Sequence, residues 1–362
     1  MSNLETKGVN FERAPFLVIW EVTQACDLAC VHCRAEARPH RDPGELSTPE
    51  GVQLLEEIGR FGHPLFIFTG GDPLKREDIF DLIAYAKEVG LRTGFSPSGT
   101  PLLTYENLKR AKEAGLDSLS ISIDGSSAQT HDSFRQVPGS FDSCLRGAKA
   151  AGELGLDLQI NTTVTRYNYQ DLDKIAALVA QLEAKRWSVF FLVPTGRGRE
   201  EDEVAPWEYE RILHWLYDLS KEARLRIKTT EAQHYRRVVI QRLAQEEGIA
   251  PEAMLSQVKS GRGRFLPGIN SGRGFLFISH VGAIYPSGFL PLAAGNVRQD
   301  SLVEVYRHSS LFRQLRDLSK LKGRCGICEY RFICGGSRAR AYALTGDYLA
   351  EDPYCVYQPE GS

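Results

Sequence analysis

From about residue 16 to residue 195 the chain alternates short apolar runs with stretches whose apolar positions recur at helical period. The run Phe16-Leu-Val-Ile-Trp-Glu-Val-Thr23 reads as a strand, and so do residues 65–69, 92–96, 118–123, 156–164 and 187–193. Ser47-Thr-Pro-Glu50 is a capping box with proline near the first helical position, and the apolar period continues through Leu54, Leu55 and Ile58. Helical patterns over 77–89, 105–114 and 141–154 each stop at a glycine, Gly90, Gly115 and Gly155, and a further pattern covers 172–182. Six strands that each return through a helix make right-handed parallel βα units. Six units fall short of a closed eight-stranded barrel, so the expected fold is α/β, with a partial (β/α)6 barrel over residues 16–200.

After residue 200 the pattern changes. Residues 205–224 and 230–247 read as helices with charge on one face, and 256–274 form a loop in which Gly261, Gly263, Gly268, Gly272 and Gly274 interleave with Arg262, Arg264 and Arg273. Two short β-like runs, 274–279 and 283–286, flank a turn at Val281-Gly282. Three parts are therefore expected: the barrel, a helical connection over 201–273, and a small cysteine-rich C-terminal extension over 274–362.

Composition narrows the class without naming it. Hydrophobic residues make up 42% and charged residues 25% of the 362, enough for a packed core. A net charge of −2 excludes a broad electrostatic footprint for nucleic acid or an anionic membrane. Any cationic patch must be local and shaped for a discrete anion. The N-terminus shows no charged region followed by an apolar run, and no stretch approaches about 18 apolar residues, so a cytoplasmic protein is expected.

Cysteine placement changes the picture most. Of eight cysteines, three lie in Cys26-Asp-Leu-Ala-Cys30-Val-His-Cys33, four (Cys325, Cys328, Cys334 and Cys355) lie near the C-terminus, and Cys144 stands alone in a helical pattern as a small buried residue. Clusters of three and four in a large chain without a secretory signal point to metal rather than to disulfides. The first group follows the first strand, and residues 70–73, 122–124 and 194–199 also fall at carboxyl ends of strands, where parallel α/β folds collect their chemistry. Three thiolates hold three irons of a cubane and leave the fourth open, whereas electron carriers close all four corners. A zinc site with His32 as fourth ligand is unfavourable, because His32 and Cys33 are adjacent and rarely both reach one tetrahedral ion. The C-terminal four thiols suit a closed cluster or a structural zinc equally well.

At Cys26, Cys30 and Cys33, with His32 before the last cysteine, the sequence resembles the radical SAM superfamily. That resemblance implies a 4Fe–4S cluster whose open iron binds S-adenosylmethionine, and one-electron cleavage to a 5′-deoxyadenosyl radical that takes a hydrogen atom from substrate. Gly70-Gly71-Asp72-Pro73 resembles the family's Gly-Gly-Glu-Pro stretch at the methionyl amino group, with Asp72 in place of glutamate. Ser122 and Asp124, with Arg135 downstream, resemble the region that contacts the cofactor's ribose and carboxylate.

The stretch from Gly323 through Cys-Gly-Gly-Ser-Arg-Ala-Arg-Ala-Tyr to Cys355 is similar to SPASM/Twitch extensions, and its cysteine count fits the one-cluster form. Together with Tyr285-Pro-Ser-Gly-Phe289 and Gly295-Asn-Val-Arg298, it resembles the tetrapyrrole-modifying branch. The resemblance implies a second, auxiliary 4Fe–4S cluster, an iron porphyrinoid substrate, and an electron donor such as flavodoxin or ferredoxin. Oxidative decarboxylation of propionates or removal of acetate arms is the implied reaction. Arg262, Arg264, Arg273, Arg197, Arg199, His234 and Arg236 are the candidate partners for the substrate's carboxylates. Maturation of a ribosomal peptide is the alternative enzyme reading, and an iron–sulfur electron carrier the non-enzymatic one.

Overall fold

The computed structural model describes residues 10–222, 225–259 and 268–360. Its strands are β1 (Leu17–Glu21), β2 (Leu65–Thr69), β3 (Arg92–Phe95), β4 (Ser118–Ser122), β5 (Asp157–Val164), β6 (Arg186–Phe191), β7 (Arg226–Thr230), β8 (Asn270–Ser271), β9 (Gly274–Ile278), β10 (Ala283–Tyr285) and β11 (Gly295–Asn296). The helices are α1 (Thr48–Gly59), α2 (Ile79–Glu88), α3 (Tyr105–Glu113), α4 (Ala128–Arg135), α5 (Ser140–Glu153), α6 (Leu172–Gln181), α7 (Pro206–Glu222), α8 (Tyr235–Glu247), α9 (Pro251–Lys259), α10 (Leu302–His308), α11 (Ser310–Arg316), α12 (Gly323–Ile327) and α13 (Arg338–Thr345).

All the strands join one sheet, ordered β11-β10-β9-β1-β2-β3-β4-β5-β6-β7, with β8 beside β9. The run from β9 to β7 is parallel throughout, and β10 turns back antiparallel on β9. The six expected strands are thus consecutive neighbours, extended on one side by β7 and on the other by β9, which reaches β1 from late in the chain.

Alternation decides which face is sealed. Phe66, Phe68, Leu119, Ile121, Ile160 and Trp187 point to one face, where they are buried with Leu54, Ile58, Leu82 and Ile175 of the helices. Gly51 of α1 sits where any Cβ would lie 2.7 Å from the Trp20 ring, so helix and strand touch closely there. The other face carries the intervening residues of β2 and β4, all half-buried, and stays partly open.

Two departures from the sequence pattern bear on function. Residues 226–230, expected to precede or begin a helix, form β7 instead, and the chain turns at Glu231 (φ +54°) before α8 starts at Tyr235. Residues 128–135, polar and without apolar period, form α4, capped by Ser127 whose hydroxyl accepts from Thr130 N–H.

Candidate active site

The first cysteine loop leaves the end of β1 and is held from three sides. Ala25 pairs with Arg38, closing the loop on itself. Gly71 donates its N–H to Thr23 O at 2.8 Å, and Asp72 N–H to Ala25 O at 2.6 Å. A Cβ on Gly71 would lie 2.4 Å from Ala25 O, so only glycine allows this approach. From the end of β6, Arg197 N–H donates to Cys33 O at 3.0 Å, and a Cβ on Gly196 would lie 2.5 Å from that carbonyl.

The thiols sit in a polar but nearly dry setting. Cys26 and Cys30 are buried and Cys33 half-buried. Leu28 N–H and Ala37 N–H donate to the sulfurs of Cys26 and Cys33, each at 3.4 Å, and Arg135 Nη1 to Cys30 Sγ at 3.6 Å. Burial pushes the Cys26 thiol up to about 11 and raises Cys30, with Arg135 offsetting part of the latter. Thiols so placed ionise when a metal takes them as ligands. The donor set therefore fits an iron–sulfur cluster: three soft ligands in one loop, with N–H donors already aimed at the sulfurs. His32 stacks flat on Phe134 of α4, ring centroids 4.2 Å apart, and burial takes its pKa down to about 3.

Asp72 is fully buried and accepts from Thr100 Oγ1 (2.6 Å), Leu74 N–H (3.2 Å) and Ser98 N–H (3.4 Å), while burial pushes its pKa up to about 6. Ser98 in turn donates to Gly71 O and accepts from Cys26 Sγ, so the turn after β2, the loop after β3 and the cysteine loop form one unit. Asp124, just beyond β4, is also fully buried. Burial alone would raise its pKa, but Arg135 and its histidine neighbours hold it below the usual carboxylate range. Arg135 pairs with Asp124 and with Cys30 Sγ, joining two predicted site residues to a cluster thiol. Ser122 ends β4 on the open face, and its carbonyl accepts from the buried Cys144 Sγ.

Cys325, Cys328, Cys334 and Cys355 line one pocket together with Arg237 and Tyr330. Burial pushes Cys328 and Cys355 each up to about 11. Asp352 N–H and Arg338 Nη2 donate to Cys325 Sγ, and Gly336 N–H to Cys334 Sγ. Among the described residues no three metal-ligating side chains converge as one ion would need. Arg340, in the Ser-Arg-Ala-Arg stretch, is fully buried and reaches Glu203 Oε2 (2.9 Å), Glu231 O (2.8 Å) and Leu192 O (2.7 Å), tying this module to the end of β6.

The candidate carboxylate partners divide. Arg273 and Arg236 are spent on backbone carbonyls, Arg273 on Gly268 and Phe332, Arg236 on Ile333 and Ile269. Arg199 is an exposed partner of Glu201. His234 is buried with neither ring nitrogen hydrogen-bonded, and Arg197 has two buried guanidinium nitrogens without partners. Arg262 and Arg264, with Gly261 and Gly263, lie outside the described residues. Sequence reasoning missed Glu21 at the end of β1, whose carboxylate is shared by Arg34 (2.5 Å) and His280 (2.7 Å). Its one signal was a charge in an otherwise apolar strand.

A parallel α/β sheet with three thiols at the carboxyl end of its first strand defines an iron–sulfur enzyme. More narrowly, the chain belongs to the radical SAM superfamily. The model of that superfamily matches residues 20–179. The AdoMet-dependent heme synthase of Methanosarcina barkeri (strain Fusaro / DSM 804) is 45% identical over 346 residues, covering 96% of this chain and 97% of the relative. Mycofactocin maturase MftC of Mycolicibacterium smegmatis is 32% identical over 357 residues, covering 96% of this chain and 84% of its own. Streptococcus suis SuiB bound to S-adenosylmethionine shares the fold, with a TM-score of 0.71 at 17% identity over 95% of this chain and 78% of that one. Membership brings a 4Fe–4S cluster and S-adenosylmethionine as cofactors. Among the described residues no helix is long and apolar enough to cross a membrane.

Proposed function

We propose that the chain modifies a carboxylate-bearing side chain of an iron porphyrinoid by radical chemistry, through oxidative decarboxylation of propionates or removal of acetate arms. The observation that carries the site is Arg135, which touches Cys30 Sγ and the buried Asp124 together. The substrate class rests on the relative named a heme synthase, matched over nearly its whole length.

In this reading Cys26, Cys30 and Cys33 ligate the first cluster, and Gly70, Gly71, Asp72, Ser122, Asp124 and Arg135 surround S-adenosylmethionine. Cys325, Cys328, Cys334 and Cys355 ligate an auxiliary 4Fe–4S cluster in the extension over 274–362, joined through 201–273 to the barrel over 16–200. When bound, the first cluster and its cofactor supply a 5′-deoxyadenosyl radical that takes a hydrogen atom from substrate. The chain's own part is placement and dryness. Gly71 lets the turn after β2 lie on the cysteine loop; Asp72, through Thr100 and Ser98, holds the loop after β3 beside it. Arg135 keeps Asp124 ionised in a buried place and donates to Cys30 Sγ, which favours the thiolate. A flavodoxin or ferredoxin would serve as the reductant, and Cys325, Cys328, Cys334 and Cys355 would hold an auxiliary cluster that could supply an acceptor for the electron released with carbon dioxide.

The test is anaerobic incubation of the reduced, iron-loaded protein with iron-coproporphyrin or didecarboxysiroheme, followed by mass analysis. Loss of carboxyl mass is expected. No change in any tetrapyrrole would overturn this reading in favour of peptide maturation, which the likeness to MftC supports.

A further inference from the structure

The open face of the sheet carries a row of side chains that, beyond Ser122 at its end, the readings above leave unused. Paired residues in parallel strands share a face, and the register runs Ser122–Asn161–Ser188–Lys228 across β4, β5, β6 and β7. The neighbouring row is Ser120–Gln159–Arg186–Arg226. Strands lie about 4.8 Å apart, so the row places Lys228 about 14 Å from Ser122, the end nearest the proposed S-adenosylmethionine site.

The row is rich in donors and short of acids. Gln159 accepts from Arg186 Nη1 (3.1 Å) and donates to Asn161 Oδ1 (2.8 Å), which leaves the Asn161 amide N–H groups without a partner among the described residues. The Ser188 hydroxyl is fully buried and has no partner. Lys228 makes no hydrogen bond or ion pair with any described residue, and the charges that act on it are those of Arg186 and Arg236, both of its own sign. Asp157 offsets Arg186 in part but is itself paired with Lys185 near the outer end of β5. Lys228 is solvent-exposed and lies on the same face of the sheet as Ser122, Asn161 and Ser188. Cations gathered without counter-charges are stabilised when an anion arrives.

We propose that this row is a carboxylate-binding subsite of the substrate cavity, in which Lys228 anchors one arm of a polycarboxylate substrate and Ser188 and Asn161 supply further donors. It rests on the porphyrinoid reading and adds where an acidic arm is held. The side of the sheet formed by β9 and β10 differs: the rings of Phe277 and Tyr285 lie 6.3 Å apart at a tilt, and Phe289 packs against Phe190. Together the two sides suit a flat apolar body with acidic arms.

Binding of iron-coproporphyrin to the iron-loaded protein, followed by its visible absorption, tests this with Lys228→Gln, Lys228→Arg and Ser188→Ala. Lys228→Gln is expected to weaken binding at least about tenfold, the size of a lost charged hydrogen bond, and Lys228→Arg to recover most of it. Ser188→Ala leaves no protein group stranded and is expected to weaken binding by about threefold or more, so it decides the matter if Lys228→Gln loads iron poorly. Wild-type protein that binds the porphyrin while all three variants bind equally well would overturn the subsite alone. Wild-type protein that does not bind it would overturn the porphyrinoid reading and the subsite together.

Discussion

Asp72 donates its backbone N–H to the carbonyl of Ala25 at 2.6 Å, so the turn after β2 hangs directly on the residue preceding Cys26. Its carboxylate holds Thr100 and Ser98, and Ser98 meets Cys26 Sγ. A displacement at this point moves the Cys26 thiol and the turn after β2 together.

Gly71→Ala is therefore expected to cost the first cluster. Its Cβ would meet backbone atoms at 2.4 Å and 2.6 Å, which cannot yield as a side-chain tip would. Iron assays should show loss of about four irons per chain, with 5′-deoxyadenosine release falling at least about a hundredfold. Gly152→Ala in α5, where a Cβ meets nothing within 4 Å, is the control and should gain about 0.5–1 kcal/mol in denaturant unfolding. Equal iron content in both variants would contradict the close approach.

The two cysteine groups should separate by function. Cys30→Ala is expected to abolish S-adenosylmethionine cleavage. Cys328→Ala is expected to keep cleavage, to block product, and to lower iron from about eight to about four per chain. Zinc bound in place of the second set of irons in the wild-type protein would contradict the auxiliary cluster, and normal cleavage by both variants would contradict the division of labour.

Stability should fall on mild acidification, in part through His234. Burial holds its pKa down at about 4, against about 6.5 in an unfolded chain, so the folded state refuses a proton that the unfolded state accepts. Its contribution is present in full above about pH 6.5 and is lost as pH falls toward 4, reaching about 2 kcal/mol at pH 5. Denaturant unfolding at pH 7 and pH 5 should show a smaller difference for His234→Gln than for wild type. Equal differences would mean that His234 is protonated in the fold.

Much of this architecture was legible beforehand because apolar period and turn chemistry agreed. The capping box at Ser47 and the glycine stops produced helices within a residue or two of where they were expected, and β1 to β6 run in the anticipated order. What escaped was polar. Arg226-Ile-Lys-Thr-Thr230 has the strand period, but with charges where a half-buried strand would show apolar residues, because Arg226 and Lys228 are solvent-exposed. Lys228 was missed with it. Conversely, Arg273 and Arg236 looked available for ligand in a glycine- and charge-rich stretch, yet they cap carbonyls of the residues just before Cys334. No pattern along the chain distinguishes an arginine spent on distant backbone from one left open.

The most direct measurement is the electron paramagnetic resonance spectrum of the dithionite-reduced protein, recorded with and without S-adenosylmethionine. An iron that lacks a protein thiolate takes the added compound as its ligand, so the signal of the cluster at Cys26, Cys30 and Cys33 should change and 5′-deoxyadenosine should follow. An identical spectrum from fully iron-loaded protein, with no deoxyadenosine released, would contradict an open iron at that loop.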